Sequence, residues 1–326
     1  MINSHAIHDA SPDTLQVRIA QRRDEAEGII SLELVEPSGR LLPPFEAGAH
    51  LQVQVAPGLN RHYSLCGPPE DRRCYRLGIL REPESRGGSA RIHEAFHEGA
   101  LITIGLPNNQ FRLVEDAQHS LLVGGGIGIT PILAMAWRLH EIGASFEVHY
   151  CVRNRARAAF LSVLEHAPFA DRVTLYVDDE AQRLDMPTLL QAPRARQHVY
   201  VCGPAGLMDA VIDTTRQQGW PSANVHYEYF AAQIDVTGKG FTLHAERSGI
   251  TLQVPEQRSI AQVLLEAGIE VPLSCEQGVC GTCLTRVLEG IPDHRDLFLT
   301  EEEKIANDQM LLCCSRASSP FLRLDI

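Results

Sequence analysis

Three absences narrow the reading before any motif is considered. No apolar run is long enough to span a bilayer, and the opening Met1-Ile2-Asn3-Ser4-His5 has neither the basic start nor the apolar core of a signal peptide. The default expectation is a cytoplasmic protein without membrane association. Nine cysteines, an odd number, do not make a secreted disulfide framework. Positive charge is short as well: 29 Lys and Arg against 41 Asp and Glu leave a formal net charge of −12. That balance argues against nucleic acid as a partner and allows a basic protein. At 326 residues, 44% hydrophobic and 21% charged, the chain has the composition of a globular protein of two or three domains.

The most specific stretch is Ser274-Cys275-Glu276-Gln277-Gly278-Val279-Cys280-Gly281-Thr282-Cys283, answered by Cys313 in Leu312-Cys313-Cys314-Ser315. Cys275, Cys280 and Cys283 make C-x4-C-x2-C, and a fourth cysteine follows after a long gap, the spacing of plant-type [2Fe–2S] sites. Gly278 and Gly281 let the backbone close around a cluster and point its N–H groups at the sulfurs. A structural zinc site also takes four cysteines, but pairs them in two short knuckles. Three clustered and one remote favour iron–sulfur.

From Leu15 to about Leu113 apolar residues alternate with period two: Leu15/Val17/Ile19, Ile30/Leu32/Leu34, Leu51/Val53/Val55, Leu77/Ile79 and Ile102/Ile104. Short strands at this spacing predict an antiparallel barrel. Within it, Arg61-His62-Tyr63-Ser64 offers a cation for an anion, a flat face for stacking and a small hydroxyl donor. Arg86-Gly87-Gly88-Ser89 precedes a short predicted helix over 90–97, with Ser89 as its N-cap and backbone N–H groups open to a phosphate. In such a barrel the two pieces read as a flavin ring site and a flavin phosphate site. Each alone reads equally as an ordinary strand or turn.

After Asp116 short apolar runs alternate with helical segments. Strands are expected at 120–123, 146–152, 173–177, 198–202 and 225–229, and helices at 131–142, 157–166 and 205–217. This is a βαβ series and implies a doubly wound parallel sheet. Its first strand runs into Gly124-Gly125-Gly126-Ile127-Gly128-Ile129-Thr130-Pro131, an imperfect dinucleotide fingerprint with Pro131 in place of the last glycine. Pro131 suits the first helical position. The fourth strand ends in Cys202-Gly203-Pro204, at the edge where such sheets bind ligands. The residue type alone makes Cys202 a small buried apolar side chain.

The region 231–239 reads as a linker. Beyond it, Phe241/Leu243/Ala245 and Leu252/Val254 predict two strands, Ile260/Val263/Leu264/Ala267 one helical face, and Leu322/Leu324/Ile326 a last strand. A small sheet on one helix, with the cysteine loop at its rim, fits a β-grasp ferredoxin. Residues 241–326 carry 13 acidic and 7 basic side chains. An acidic face beside the cluster would steer a basic electron acceptor; a merely solvated surface is the alternative.

Taken in order, Arg61-x-Tyr63-Ser64, Arg86-Gly87-Gly88-Ser89, Pro107-x-Asn109-x-Phe111, the glycine turn, Cys202-Gly203-Pro204 and the four cluster cysteines resemble the phthalate dioxygenase reductase family. Asp293-His294-Arg295-Asp296 and Cys313-Cys314-Ser315-Arg316 look like further signatures. The resemblance covers the chain from about Leu15 to Ile326. It implies an FMN-binding β-barrel over 1–114, an NADH-binding α/β domain over 115–232, a linker over 233–240 and a [2Fe–2S] ferredoxin domain over 241–326. By the same resemblance Arg61, Tyr63 and Ser64 line the FMN, and Arg86, Gly87, Gly88 and Ser89 meet its phosphate. Gly126, Gly128 and Thr130 hold the NADH pyrophosphate, Cys202 lies beside the nicotinamide, and Glu228 and Phe230 lie near the flavin. Ser64 and Cys202 are the expected catalytic pair. Cys313 keeps the family spacing, leaving Cys314 as a spectator.

NADH gives up two electrons together, a [2Fe–2S] cluster takes one, and a flavin mediates between them. The implied function is reductase component of a two-component oxygenase, with a Rieske-type terminal oxygenase as partner. Two alternatives are a flavin/iron–sulfur reductase serving a diiron or other monooxygenase, and a colourless zinc-stabilised nucleotide-binding redox sensor. NADH over NADPH and FMN over FAD rest on the resemblance; Arg153, Arg155 and Arg157 are the residues that would instead meet a 2′-phosphate.

Overall fold

In the computed structural model, the period-two alternation of the first hundred residues folds into seven strands: β1 (Thr14–Ala26), β2 (Ile29–Val35), β3 (Ala49–Ala56), β4 (Leu59–Ser64), β5 (Tyr75–Leu80), β6 (Leu101–Gly105) and the short β7 (Asn108–Asn109). The structure describes residues 14–57, 59–82, 87–191, 193–230, 236–273, 278–279 and 281–326. Strand order is β4-β3-β6-β1-β2-β5, with β7 on β3, and the pairings are antiparallel. A bridge between Leu65 and Leu77 joins the chain just past β4 to β5, bringing the sheet's two ends together as a barrel. Val17, Ile19, Leu32, Leu34, Leu51, Val53, Leu77, Ile79 and Ile104 fill the interior, the alternate positions that the pleat sends to one face. Helix α1 (Gly88–Ala95) lies between β5 and β6.

The second sheet is wholly parallel, in the order β10-β9-β8-β11-β12. Its strands are β8 (His119–Gly125), β9 (Phe146–Val152), β10 (Val173–Val177), β11 (Gln197–Cys202) and β12 (Val225–Glu228). Helices α2 (Ile129–Glu141), α3 (Leu161–His166), α4 (Met186–Leu189) and α5 (Ala205–Gln217) connect them. Leu122, Val148 and Tyr150 pack with Ile132, Leu133 and Met135 of α2, whereas Leu121, Val123, Val199 and Val201 pack with Met208 and Val211 of α5. Burial on both faces explains why these strands read as apolar runs rather than as alternation. Pro131 is the third residue of α2, not the first: a 3₁₀ turn over Gly126–Gly128 feeds the helix directly. Proline is tolerated there because the first-turn N–H groups lack intrahelical partners anyway.

The described residues up to Phe230 form one compact unit and those from 236 onward a second. The second unit holds β13 (Phe241–Ala245), β14 (Ile250–Val254), α6 (Ile260–Glu266), β15 (Leu284–Glu289), β16 (Pro292–Asp293), α7 (Glu301–Ala306), β17 (Gln309–Leu311), β18 (Arg316–Ala317) and β19 (Phe321–Leu324). The five-stranded order is β14-β13-β19-β15-β17, with β13 and β19 parallel and the other pairs antiparallel, while β16 pairs β18. Ser259 caps α6 in a reciprocal box with Gln262, and Thr300 caps α7 with Glu303. The end of the expected linker is not free chain. Arg295 donates to the Thr237 carbonyl at 2.6 Å, and Arg316, 1% exposed, donates to the Lys239 and Pro255 carbonyls at 3.1 Å each. A buried guanidinium needs acceptors, and the carbonyls of 239 and 255 supply them. Among the described residues no helix is long and apolar enough to cross a membrane.

Candidate functional site

The expected flavin residues converge. Arg61 and Tyr63 lie on β4, and Ser64 ends it, 4% exposed. Gly88 opens α1 directly against Arg61: a Cβ there would stand 2.7 Å from the Arg61 Nε. Gly87 is the N-cap of α1, with φ at 86°, the left-handed region that glycine enters without penalty. Ser89 is inside the helix rather than at its cap, and its Oγ accepts the Glu82 N–H at 3.0 Å. The cap falls two residues earlier because Gly87 can turn the chain and serine cannot do so as readily. Arg86 lies outside the described residues. A guanidinium beside the N-terminus of an eight-residue helix, with no side chain between them, fits a phosphate. Burial pushes the Tyr63 phenol up to about 12, so it stays neutral.

The candidate nucleotide edge is built by sheet register. Cys202 at the end of β11 pairs with Gly124 of β8 on one side and Glu228 of β12 on the other, so the three stand in one row. The two turns at this edge pack backbone on backbone. A Cβ on Gly128 would lie 2.3 Å from the Cys202 carbonyl oxygen, and one on Gly203 would lie 2.9 Å from the Gly125 Cα. Gly126 has φ at 52° and open space where a Cβ would be. A tight turn with one open backbone face fits a pyrophosphate. Thr130 is 1% exposed and its hydroxyl donates to the Ile127 carbonyl at 3.0 Å, so it braces the turn from beneath. Phe230, half-buried, ends the described part of this unit.

The barrel and the parallel sheet meet at Glu228. Ser64 Oγ donates to Glu228 Oε2 at 3.3 Å. Burial pushes the Glu228 carboxyl up to about 8, with the Ser64 hydrogen bond opposing in part. Cys202 is fully buried, and burial, then the neighbouring Glu228 charge, pushes its thiol well up. It is a neutral thiol, not a nucleophile. Sequence reasoning passed over Gly78 of β5. A Cβ there would meet the Thr130 methyl at 2.7 Å and the Phe160 ring at 2.9 Å, so the barrel needs glycine to approach the sheet. An isolated glycine in an alternating strand is the signal that marks it.

In the second unit Cys283 and Cys313 are buried and their thiols are within hydrogen-bonding reach. Cys275 and Cys280 lie outside the described residues. Hydrogen bonding to Cys283, then to Cys314, and burial all push the Cys313 thiol upward. Two neighbouring buried thiols are donors of the kind a metal cluster takes. The loop demands its glycines. Gly278 has φ at 71° and the Cys314 sulfur 2.6 Å from a Cβ position; Gly281 has φ at 72° and the Phe298 ring 2.3 Å away. Asp296, 3% exposed, holds the neighbouring segment by accepting from Leu299 N at 2.8 Å and from Ser315 Oγ at 3.3 Å.

A barrel whose helix start fits a phosphate, a parallel sheet whose glycine turn fits a pyrophosphate and a unit with two neighbouring buried thiols together fit an electron-transferring oxidoreductase. A family model for a 2Fe-2S iron-sulfur cluster binding domain matches residues 243–318. The vanillate O-demethylase oxidoreductase of Pseudomonas sp. (strain HR199 / DSM 7063) is 48% identical over 96% of this chain and 100% of its own length. The solved phthalate dioxygenase reductase, described as a modular structure for electron transfer from pyridine nucleotides to [2Fe-2S], is 40% identical with a TM-score of 0.77, covering 96% of this chain and 98% of that one. An intact type IV self-sufficient cytochrome P450 monooxygenase is 37% identical with a TM-score of 0.80 over 96% of this chain and 41% of that chain. The chain belongs to the phthalate dioxygenase reductase family, oxidoreductases that act as reductase components of oxygenase systems.

Proposed function

We propose that this chain takes electrons from NADH, passes them through FMN to a [2Fe–2S] cluster, and delivers them singly to a Rieske-type terminal oxygenase. The observation that carries the reading is the meeting of Ser64 from the barrel with Glu228 in the row that also holds Cys202 and Gly124. A flavin held by the barrel and a nicotinamide held at the sheet edge would face each other there. The flavin supplies the conversion of a two-electron donor into one-electron steps.

The chain's own residues do the holding. Arg61 and the N-terminus of α1, with Arg86, Gly87, Gly88 and Ser89, bind the FMN phosphate. Tyr63 presents its ring to the isoalloxazine, and Ser64 places a hydroxyl at its reactive edge. Gly126 and Gly128 receive the NADH pyrophosphate on backbone N–H groups, and Thr130 braces that turn. Cys202 offers the nicotinamide a small neutral wall, and Glu228, protonated near neutrality, orients Ser64 without placing a charge beside the ring. Phe230 covers the flavin. Cys275, Cys280, Cys283 and Cys313 ligate the cluster. The working division is a flavin domain over 1–114, a nucleotide domain over 115–232, a linker over 233–240 and a ferredoxin domain over 241–326, in the cytoplasm.

A second reading, carried by the P450 match, is a haem monooxygenase as acceptor. Anaerobic titration with NADH, followed by visible absorption and EPR, tests the electron path. Bleaching of flavin and cluster bands with a rhombic reduced-cluster signal is expected. A fully metallated sample in which the flavin bleaches and no iron signal forms refutes it.

A further inference from the structure

We infer that the turn Asp178–Glu180, through the ion pair of Glu180 with Arg155, selects NADH against NADPH at the adenosine end of the nucleotide. The inference rests on the reading of this sheet edge as a dinucleotide site. Sheet order decides where that end falls. The glycine turn follows the central strand β8, and Cys202 ends β11 on one side of it. With the nicotinamide beside Cys202 and the pyrophosphate on the glycine turn, the adenosine extends the other way, over β9 and β10.

Those two strands end level, Val152 pairing with Val177. After β9 the chain makes a 3₁₀ turn over Arg155–Arg157, capped by Asn154, whose side chain accepts the Arg157 N–H at 3.1 Å. After β10 it makes another over Asp178–Glu180. The Asp179 N–H donates to the Arg153 carbonyl at 3.1 Å, locking the turns together. Across them Arg155 donates from Nε to Glu180 Oε1 at 2.6 Å and from Nη2 to Oε2 at 3.0 Å. The Arg157 guanidinium faces Glu27 at 3.9 Å.

Arginines after the second strand are the residue type that would bind a 2′-phosphate. Here the fork of Arg155 is already filled by a carboxylate, and three consecutive acids line the turn beside it. A 2′-phosphate, near two negative charges, meets like charge; the 2′-hydroxyl of NADH can donate to the same carboxylates. Discrimination comes from the repulsive element as much as from any attraction. The pair is exposed, and exposed pairs contribute little to folding, so its substitution leaves the fold in place.

The test is kcat/KM for NADPH and for NADH in the holoprotein, with ferricyanide as acceptor, for wild type, E180Q and E180Q/R155Q. The NADPH-to-NADH ratio rises about tenfold in E180Q, as expected when a bidentate guanidinium is released to a phosphate. It falls back in the double variant. An unchanged ratio in E180Q overturns the inference. Competition against NADH separates this failure from a deeper one. If 5′-ADP does not compete in wild type, the dinucleotide reading falls and takes the inference with it. If 5′-ADP competes but 2′,5′-ADP inhibits E180Q no better than wild type, only the selectivity is overturned.

Discussion

Ser64 and Glu228, 164 residues apart in the chain, are joined by one hydrogen bond of 3.3 Å that links the barrel to the last strand of the parallel sheet. The carboxyl is pushed up to about 8, chiefly by burial. In the unfolded chain it ionises at about 4.5. Between those values the folded protein holds a proton that the unfolded chain has released, so this group makes stability fall as pH rises through that window. Glu228→Gln keeps an acceptor for Ser64 and removes the titration. The variant is expected to gain about 2–4 kcal/mol on the wild type between pH 5 and 8. Thermal unfolding of both proteins across that range checks it, and parallel pH profiles would refute the assignment.

Gly88→Ala places a methyl 2.7 Å from the Arg61 Nε. The obstacle is the middle of a long side chain, so the guanidinium swings aside and the fold survives. A phosphate bound at the start of α1 would then lose its cation. FMN affinity is expected to fall about tenfold, with unfolding free energy changed by less than about 1 kcal/mol. Flavin content after dialysis and urea unfolding measure the two quantities separately. A retained flavin sinks the phosphate site.

Gly128→Ala meets backbone instead, the Cys202 carbonyl oxygen at 2.3 Å. No rotamer relieves that contact, so the two turns must part. A loss of about 2–4 kcal/mol in stability and a raised KM for NADH are expected. Urea unfolding and steady-state kinetics on the variant check both. A variant as stable as the wild type would show that the turns have room to spare.

Much of this arrangement is legible in residue order. The spacing of Cys275, Cys280, Cys283 and Cys313 matches a cluster motif directly, because three of the four fall within a short stretch of sequence. Period-two and βαβ patterns place the strands, and β9, β10 and α5 fall on the expected bounds. The pairing of Ser64 with Glu228 is not legible in that way, since it arises only when two sheets, each specified by its own local pattern, pack together. Gly78 escapes for the same reason: its need for glycine is set by Thr130 and Phe160, far away in sequence. Ser89 misleads because serine is the commoner cap, while the turn here takes the left-handed Gly87. Strand β15 and the pair β16–β18 are short or weakly alternating, and long-range pairing with β17 and β19 fixes β15.

Cys313 and Cys314 are adjacent and both buried, yet their surroundings separate them. The Cys313 thiol reaches both Cys314 and Cys283, and Cys283 is a member of the clustered triplet. The Cys314 sulfur packs against Gly278 and lies 3.8 Å from both the Leu311 carbonyl and the Ser315 hydroxyl. A cluster ligand must be a thiolate, and serine is a poor substitute for one at iron. Cys313→Ser is therefore expected to lose most of its iron and the cluster absorption while flavin content stays at the wild-type level. Cys314→Ser exchanges one weak hydrogen-bonding group for a stronger one of smaller size, and is expected to keep two irons per chain, the number in a [2Fe–2S] centre. Iron analysis beside flavin analysis on the same samples gives the answer. If Cys314→Ser empties the site and Cys313→Ser does not, the two sulfurs have exchanged roles, and the fourth ligand lies on the side of the loop that packs against Gly278.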